Sequence, residues 1–210
     1  MRDLFFYVKD SKVDMISKGS EPELFAVLEK AYNSFVSPPS DFQDNGFPKF
    51  IWPSTYEPKF ITQAFGVNED FYKRFNLPGH EGIDMRAPLD QPIIAVWDGE
   101  VSRVGWHQAY GNHIRLNHHI KFPTGETVHY ESVYAHFSMP SELKIGDKVR
   151  QGEVIGAADA TGNSKGHHLH FNMKQFNHPE LRPKTAMQMK ASWPFNLIDA
   201  TPFFEWLDVG

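Results

Sequence analysis

The chain has 210 residues, no cysteine and a net charge of −5, enough length for one ordinary domain with an extension. Its 21 Lys and Arg are scattered among 26 Asp and Glu, so there is no basic stripe of the kind that follows a phosphate backbone, and nucleic acid is not an expected partner. No apolar run approaches the roughly 18–20 residues of a membrane span, and the absence of cysteine rules out disulfide staples without indicating a compartment.

Residues 1–10 hold a brief apolar segment but neither a long apolar core nor a small-residue cleavage site, so no secretory leader is legible there. At Ser20 the text S-E-P-E offers an N-cap, with Glu23 closing a capping box and Pro22 tolerated in the first turn. Leu24, Leu28, Tyr32 and Phe35 then recur at helical spacing, which predicts one amphipathic helix over 20–35. Ser37-Pro38-Pro39-Ser40 ends it. Residues 1–46 are therefore read as an N-terminal extension and 47–210 as the main domain.

Beyond Phe47 the texture is mainly β: short runs rich in β-branched and aromatic residues, punctuated about every ten residues by Gly, Pro, Asn and Asp. The expected fold is an antiparallel β-sheet or sandwich with a substrate groove. Residues 92–97 and 100–104 read as a hairpin around Asp98-Gly99, a dipeptide suited to positive φ angles. Residues 113–119 and 127–135 read as a second pair, joined across 122–125. Short strands are expected at 144–149 and 153–156, and another at 168–174. The Pro-broken tail, ending T-P-F-F-E-W-L, reads as a packed cap.

Chemistry concentrates in five side chains, His80, Asp84, His136, His168 and His170. Imidazole and carboxylate are the ligands zinc takes when thiolate is absent, and a catalytic site needs three of them plus an open position. Taken alone, H-x-x-x-D at 80–84 is weak. Gly79, Gly82 and Pro88 favour an extended segment there, in which 80, 82 and 84 share a face and Gly82 leaves room between the ligands. In a strand, His168 and His170 point one way while Leu169 and Phe171 point into the core. His136 ends the run Val133-Tyr134-Ala135. The remaining histidines, 107, 113, 118, 119, 129, 167 and 178, are read as ordinary surface or core residues, with His113 and His167 nearest the site rim.

The three segments G-H-E-G-I-D, V-Y-A-H-F-S and T-G-N-S-K-G-H-H-L-H-F, in that order, resemble the lysostaphin-type zinc metallopeptidases that cleave peptides of bacterial peptidoglycan. The resemblance covers about residues 60–175, includes Ala87-Pro88, Tyr110-Gly111-Asn112 and 145–156, and is echoed by a closing segment at 196–207. It implies one zinc per chain held by His80, Asp84 and His170. His136 and His168 would then act on the water and the developing oxyanion, and peptidoglycan peptide would be the partner. The implied location is the cell wall, reached by secretion, through the periplasm or by phage delivery. His167 and Asn172 depart from the family pattern, which commonly has proline and glutamate there, and residues 66–77 are unlike its usual lead-in. The competing reading is a non-catalytic wall-binding or activator module on the same fold. Such modules usually lose ligands, whereas all five positions are present here.

Overall fold

The computed structural model describes residues 48–122 and 124–204, together with two strands near the N-terminus, β1 (Leu4–Lys9) and β2 (Lys12–Ser17). The chain divides into two units, residues 1–47 with 206–210 and residues 48–205. In the first, β1 and β2 pair antiparallel with Leu4 opposite Ser17 and Lys9 opposite Lys12. The helix expected over 20–35 and the boundary at Phe47 lie outside the described residues, as do Trp206 and Leu207 of the closing segment.

The second unit is built on an antiparallel sheet of eight strands. These are β3 (Ile61–Gln63), β4 (Ile83–Met85), β6 (Gly99–His107), β7 (Gly111–Lys121), β8 (Thr127–Phe137), β9 (Lys148–Val149), β11 (Leu169–Gln175) and β12 (Leu197–Ile198). They run in the order β3-β4-β11-β8-β7-β6-β9, with β12 also paired to β11. The long β7–β8 hairpin carries the expected alternation. Ile114, Leu116, His118 and Ile120 of β7 face inward with Val128, Tyr130, Ser132 and Tyr134 of β8, while His119 and His129 stand opposite one another on the exposed side. Period-two patterning of this kind fixes register, because a one-residue slip would turn every apolar side chain to water.

Two short strands, β5 (Pro92–Ile94) and β10 (Val154–Ala157), form a separate antiparallel pair. This pair packs against the apolar face of the large sheet. The Tyr134 hydroxyl accepts from the Val96 amide at 2.9 Å, and a Cβ on Gly156 would lie 2.2 Å from the Phe137 ring. The tail closes the same core: Phe203 stacks on Phe50 with centroids 5.3 Å apart, and Phe204 meets Phe171 edge-on at 5.5 Å. Each such ring, fully buried, contributes about 1.5–3 kcal/mol of transfer free energy.

The expected hairpin across Asp98-Gly99 does not form. The strand at 92–94 pairs with β10, and β6 pairs with β7 and β9. Gly99 is absent from the positive-φ glycines among the described residues, and its small size serves a different purpose. A Cβ there would lie 2.9 Å from His118 Nδ1 and from the Asn117 carbonyl oxygen. Asp98 meanwhile offers its carbonyl to His118 at 2.8 Å and its carboxylate to the Gln151 amide at 2.7 Å. Asp98-Gly99 is thus a close-packing joint.

Candidate metal centre

β11 lies inside the sheet and is the strand on which the candidate site is assembled. Leu169 and Phe171 are fully buried on its apolar face. The opposite face carries His170, which sits across from Asp84 of β4 on one side and Ala135 of β8 on the other. His80 precedes β4 and is fixed through its backbone, its amide donating to the Val67 carbonyl at 2.8 Å and its carbonyl accepting from the Gly66 amide at 2.9 Å. The structure therefore brings His80, Asp84 and His170 to one point from residues that span ninety positions of the chain.

Three ligand atoms form a tight triangle. His80 Nε2 is 3.1 Å from His170 Nδ1 and 3.3 Å from Asp84 Oδ1, and His170 Nδ1 is 2.9 Å from Asp84 Oδ1. A tetrahedral zinc with bonds of about 2.0–2.1 Å holds its ligand atoms about 3.3 Å apart, so the donor set fits that ion with little adjustment. The tautomer of His80 agrees: its Nδ1–H donates to the Ala64 carbonyl at 3.1 Å, which leaves the Nε2 lone pair facing the carboxylate and the second imidazole. Burial pushes the Asp84 carboxyl up, but the imidazoles of His168, His170 and His80 around it outweigh that and hold the group well below the usual carboxylate range. A carboxylate held in its ionised form beside the ring nitrogens of two buried histidines supplies the donors of a cation site. Among the described residues it is the one cluster of three or more His, Cys, Asp or Glu side chains placed to hold a metal ion.

His136 and His168 flank this triangle, their rings 4.8 Å apart, with His136 5.9 Å from His170. Each has its tautomer set by a backbone carbonyl. His136 Nδ1–H donates to Thr161 at 2.6 Å and His168 Nδ1–H to Gly166 at 2.8 Å. Thr161 is itself clamped, its hydroxyl donating to the Phe137 carbonyl at 2.7 Å and accepting from the Asn112 amide at 3.1 Å. Gly111 allows this approach, since it adopts φ +63 and a Cβ would lie 2.3 Å from Thr161 Oγ1. The two imidazoles differ in basicity. Burial and the neighbouring His170 pull His136 down to about 4. Burial also disfavours the His168 cation, but Asp84, with Nε2 3.5 Å from its Oδ1, reverses the balance and raises it.

Gly82 does not leave room for a metal. A Cβ at that position would lie 2.3 Å from the Phe171 carbonyl oxygen and 2.8 Å from Asn172 Cβ, so the glycine lets β4 approach β11. His113 is buried against Tyr110, with centroids 5.7 Å apart, and exposed His167 pairs with Asp159 at 2.9 Å. The segment at 66–77 contains a short helix, α1 (Glu69–Tyr72), followed by a 3-10 turn at Lys73–Phe75. Tyr72 lies against the His80 ring at 5.4 Å and accepts from Gln63 Nε2 at 3.0 Å.

Sequence reasoning missed a hydrogen-bonded chain beside the triangle. Asn172 Nδ2 donates to the Tyr110 hydroxyl at 3.1 Å, which donates to Glu81 Oε1 at 2.6 Å. The Tyr110 ring stacks on His170 with centroids 5.7 Å apart and planes inclined by 27°. Burial pushes the Tyr110 phenol up, and Glu81 adds to the effect, so the hydroxyl keeps its proton. The signal available in the sequence was Asn172 itself, a departure directly after the H-L-H-F strand.

An antiparallel sheet that gathers two imidazoles and a carboxylate, with two further imidazoles alongside, has the donors of a metal-dependent hydrolase. The chain belongs to peptidase family M23, whose model matches residues 78–183. It is 38% identical over 95 residues to a DD-carboxypeptidase/endopeptidase, Mpg, of Neisseria meningitidis, covering 45% of this chain and 20% of that protein. It is 33% identical over 95 residues to the peptidoglycan DD-endopeptidase ShyC of Vibrio cholerae, with the same coverage. A crystal structure of a zinc-containing peptidase from Vibrio cholerae superposes with a TM-score of 0.51 at 29% identity, covering 71% of this chain and 41% of that one. The chain spans about a fifth of the length of the curated relatives it matches.

Proposed function

We propose that the chain is a zinc-dependent endopeptidase acting on the peptides of bacterial peptidoglycan, with residues 47–210 as its catalytic domain and the cell wall as its place of action. The observation that carries this reading is the triangle of His80 Nε2, Asp84 Oδ1 and His170 Nδ1, whose edges of 2.9–3.3 Å match a tetrahedral zinc with a fourth position open. The relatives named as peptidoglycan DD-endopeptidases support the substrate class. One zinc would be held by these three residues, polarising a scissile carbonyl and lowering the pKa of a water to about 7.

The chain's own groups supply the rest. With Nδ1–H committed to Thr161, neutral His136 presents a bare Nε2 that accepts a proton from the attacking water. His168, whose Nδ1–H is committed to Gly166 and whose ring lies 4.8 Å from that of His136, presents in its protonated form an Nε2–H donor to the oxygen on which negative charge develops. Two imidazoles on the same side of the triangle thus divide base and donor roles between them. The retention of both histidines beside a complete ligand set separates this reading from a non-catalytic binding module.

The test is zinc content of the purified protein together with mass analysis of muropeptides released from walls of defined cross-bridge chemistry. Stoichiometric zinc and release of new peptide termini are expected. A zinc-replete protein inert on walls of every cross-bridge type would refute the endopeptidase reading.

A further inference from the structure

A histidine that ligates a metal almost always donates its other ring N–H to a carboxylate, a carbonyl or water, and that partner fixes the ring plane. His80 follows the rule through Ala64. His170 does not. Its Nε2 is buried and has no hydrogen-bond partner among the described residues. What lies against this ring is the face of Tyr110, inclined by 27°. An offset ring stack restrains orientation only if the second ring is itself held. Tyr110 is held at both ends. Its hydroxyl is fixed between Asn172 and Glu81, and its backbone carbonyl accepts from the His136 amide at 2.8 Å.

We propose that Tyr110, anchored by Glu81 and Asn172, is a positioning residue that sets the ring plane of His170, whose Nε2 has no protein hydrogen-bond partner among the described residues. The proposal rests on the reading of His80, Asp84 and His170 as zinc ligands. The chain of donors has one direction: Glu81 can only accept from the Tyr110 hydroxyl, so the hydroxyl oxygen must accept from Asn172 Nδ2. The order ends on a carboxylate, which makes the final bond charge-assisted and short, as its 2.6 Å length shows. Because Tyr110 touches His170 through its ring and His136 through its backbone, a shift of this one residue moves a ligand and a reacting imidazole together.

The experiment compares wild type with Tyr110→Phe, which keeps the ring and its backbone bond to His136 but removes the hydroxyl anchors to Glu81 and Asn172, and Glu81→Gln, which leaves the ring and weakens the terminal acceptor. Zinc affinity is read by competition with a chelator, and ligand geometry by the visible spectrum of the Co2+-substituted protein. Loss of a group that orients a ligand typically costs about 10–100-fold in metal affinity, and Tyr110→Phe is expected to fall in that range with an altered Co2+ spectrum. Glu81→Gln should move both readouts in the same direction by less. The double variant should be no weaker than Tyr110→Phe, since both act through one chain. If Tyr110→Phe fails to fold, Glu81→Gln alone decides. Zinc affinity within twofold of wild type and an unchanged Co2+ spectrum in the folded variants would overturn the proposal. A wild-type protein without zinc, or an Asp84→Ala variant that keeps it, would instead overturn the ligand reading underneath.

Discussion

Replacing Gly82 by alanine should dismantle the candidate metal centre without touching any of its five side chains. The added Cβ would lie 2.3 Å from the carbonyl oxygen of Phe171 and 2.8 Å from Asn172 Cβ, where ordinary contact begins near 3.4 Å. Neither neighbour can yield cheaply, since the first is backbone in an interior strand. Strand β4 must therefore recede from β11 by about 1 Å, whereas metal sites tolerate departures of only about 0.2 Å in ligand distance. Asp84 rides on β4 and His170 on β11, directly opposite each other, so the displacement falls on the 2.9 Å edge of the triangle. Overpacking of this kind costs about 1–3 kcal/mol in stability, and the loss of ligand geometry should weaken zinc at least tenfold. Chelator competition measures the second quantity and a thermal melt of the metal-free protein the first. A Gly82→Ala protein that binds zinc within twofold of wild type and melts at the same temperature would refute the view that close approach of β4 builds the site.

Three further outcomes follow. His170→Ala or Asp84→Ala should abolish zinc binding, whereas His136→Ala should retain the metal and lose on the order of a hundredfold or more in turnover; equal metal loss in all three would sink the division of roles. Treatment with a chelator should stop muropeptide release and added zinc restore it, and undiminished release by protein shown to be metal-free would contradict a metal-dependent step. His118 is fully buried, accepting from Ser132 Oγ at 2.7 Å and donating to Asp98, and burial pulls it down to about 4 from 6.5. Between those values the unfolded chain binds the extra proton, so its contribution is fully present above about pH 6.5 and is lost as the pH falls toward 4. It is worth about 3 kcal/mol at most. Denaturant titrations from pH 7 to 4 on wild type and His118→Gln should show this acid slope in wild type alone, and parallel slopes would refute it.

Much of the sheet could be read from the chain because its signal is local. Ile114, Leu116, His118 and Ile120 alternate with polar residues, and the partner strand alternates likewise, so the β7–β8 hairpin needed no tertiary knowledge. Asp98-Gly99 was misread because a turn dipeptide and a close-packing dipeptide look the same until the neighbour is known; here the neighbour is His118, nineteen residues beyond Gly99. Gly82 failed for the same reason, its constraint being a carbonyl on β11. The meeting of His80, Asp84 and His170 was expected from the family resemblance, yet the register that places Asp84 opposite His170 is not encoded near either. Tyr110, Glu81 and Asn172 come from three separate segments, and no spacing within the chain links them. The short helix at Glu69–Tyr72 went unread, since its five residues up to Lys73 include no apolar stripe long enough to register.

His136, the last residue but one of β8, lies in the left-handed region, at φ 64. For a residue with a Cβ that conformation costs about 1–2 kcal/mol, and glycine escapes most of it. The torsional preference at that position is therefore for glycine. The backbone is held in that conformation by its amide, which donates to the Tyr110 carbonyl, and by its carbonyl, which accepts from the Asp159 amide, while the imidazole adds one bond of its own, to the Thr161 carbonyl. A copy of this gene released from its chemical duty would have a torsional incentive to put glycine in place of this histidine, giving up the bond to Thr161 and keeping the backbone bonds to Tyr110 and Asp159. Activity and durability pull in opposite directions at a single torsion angle.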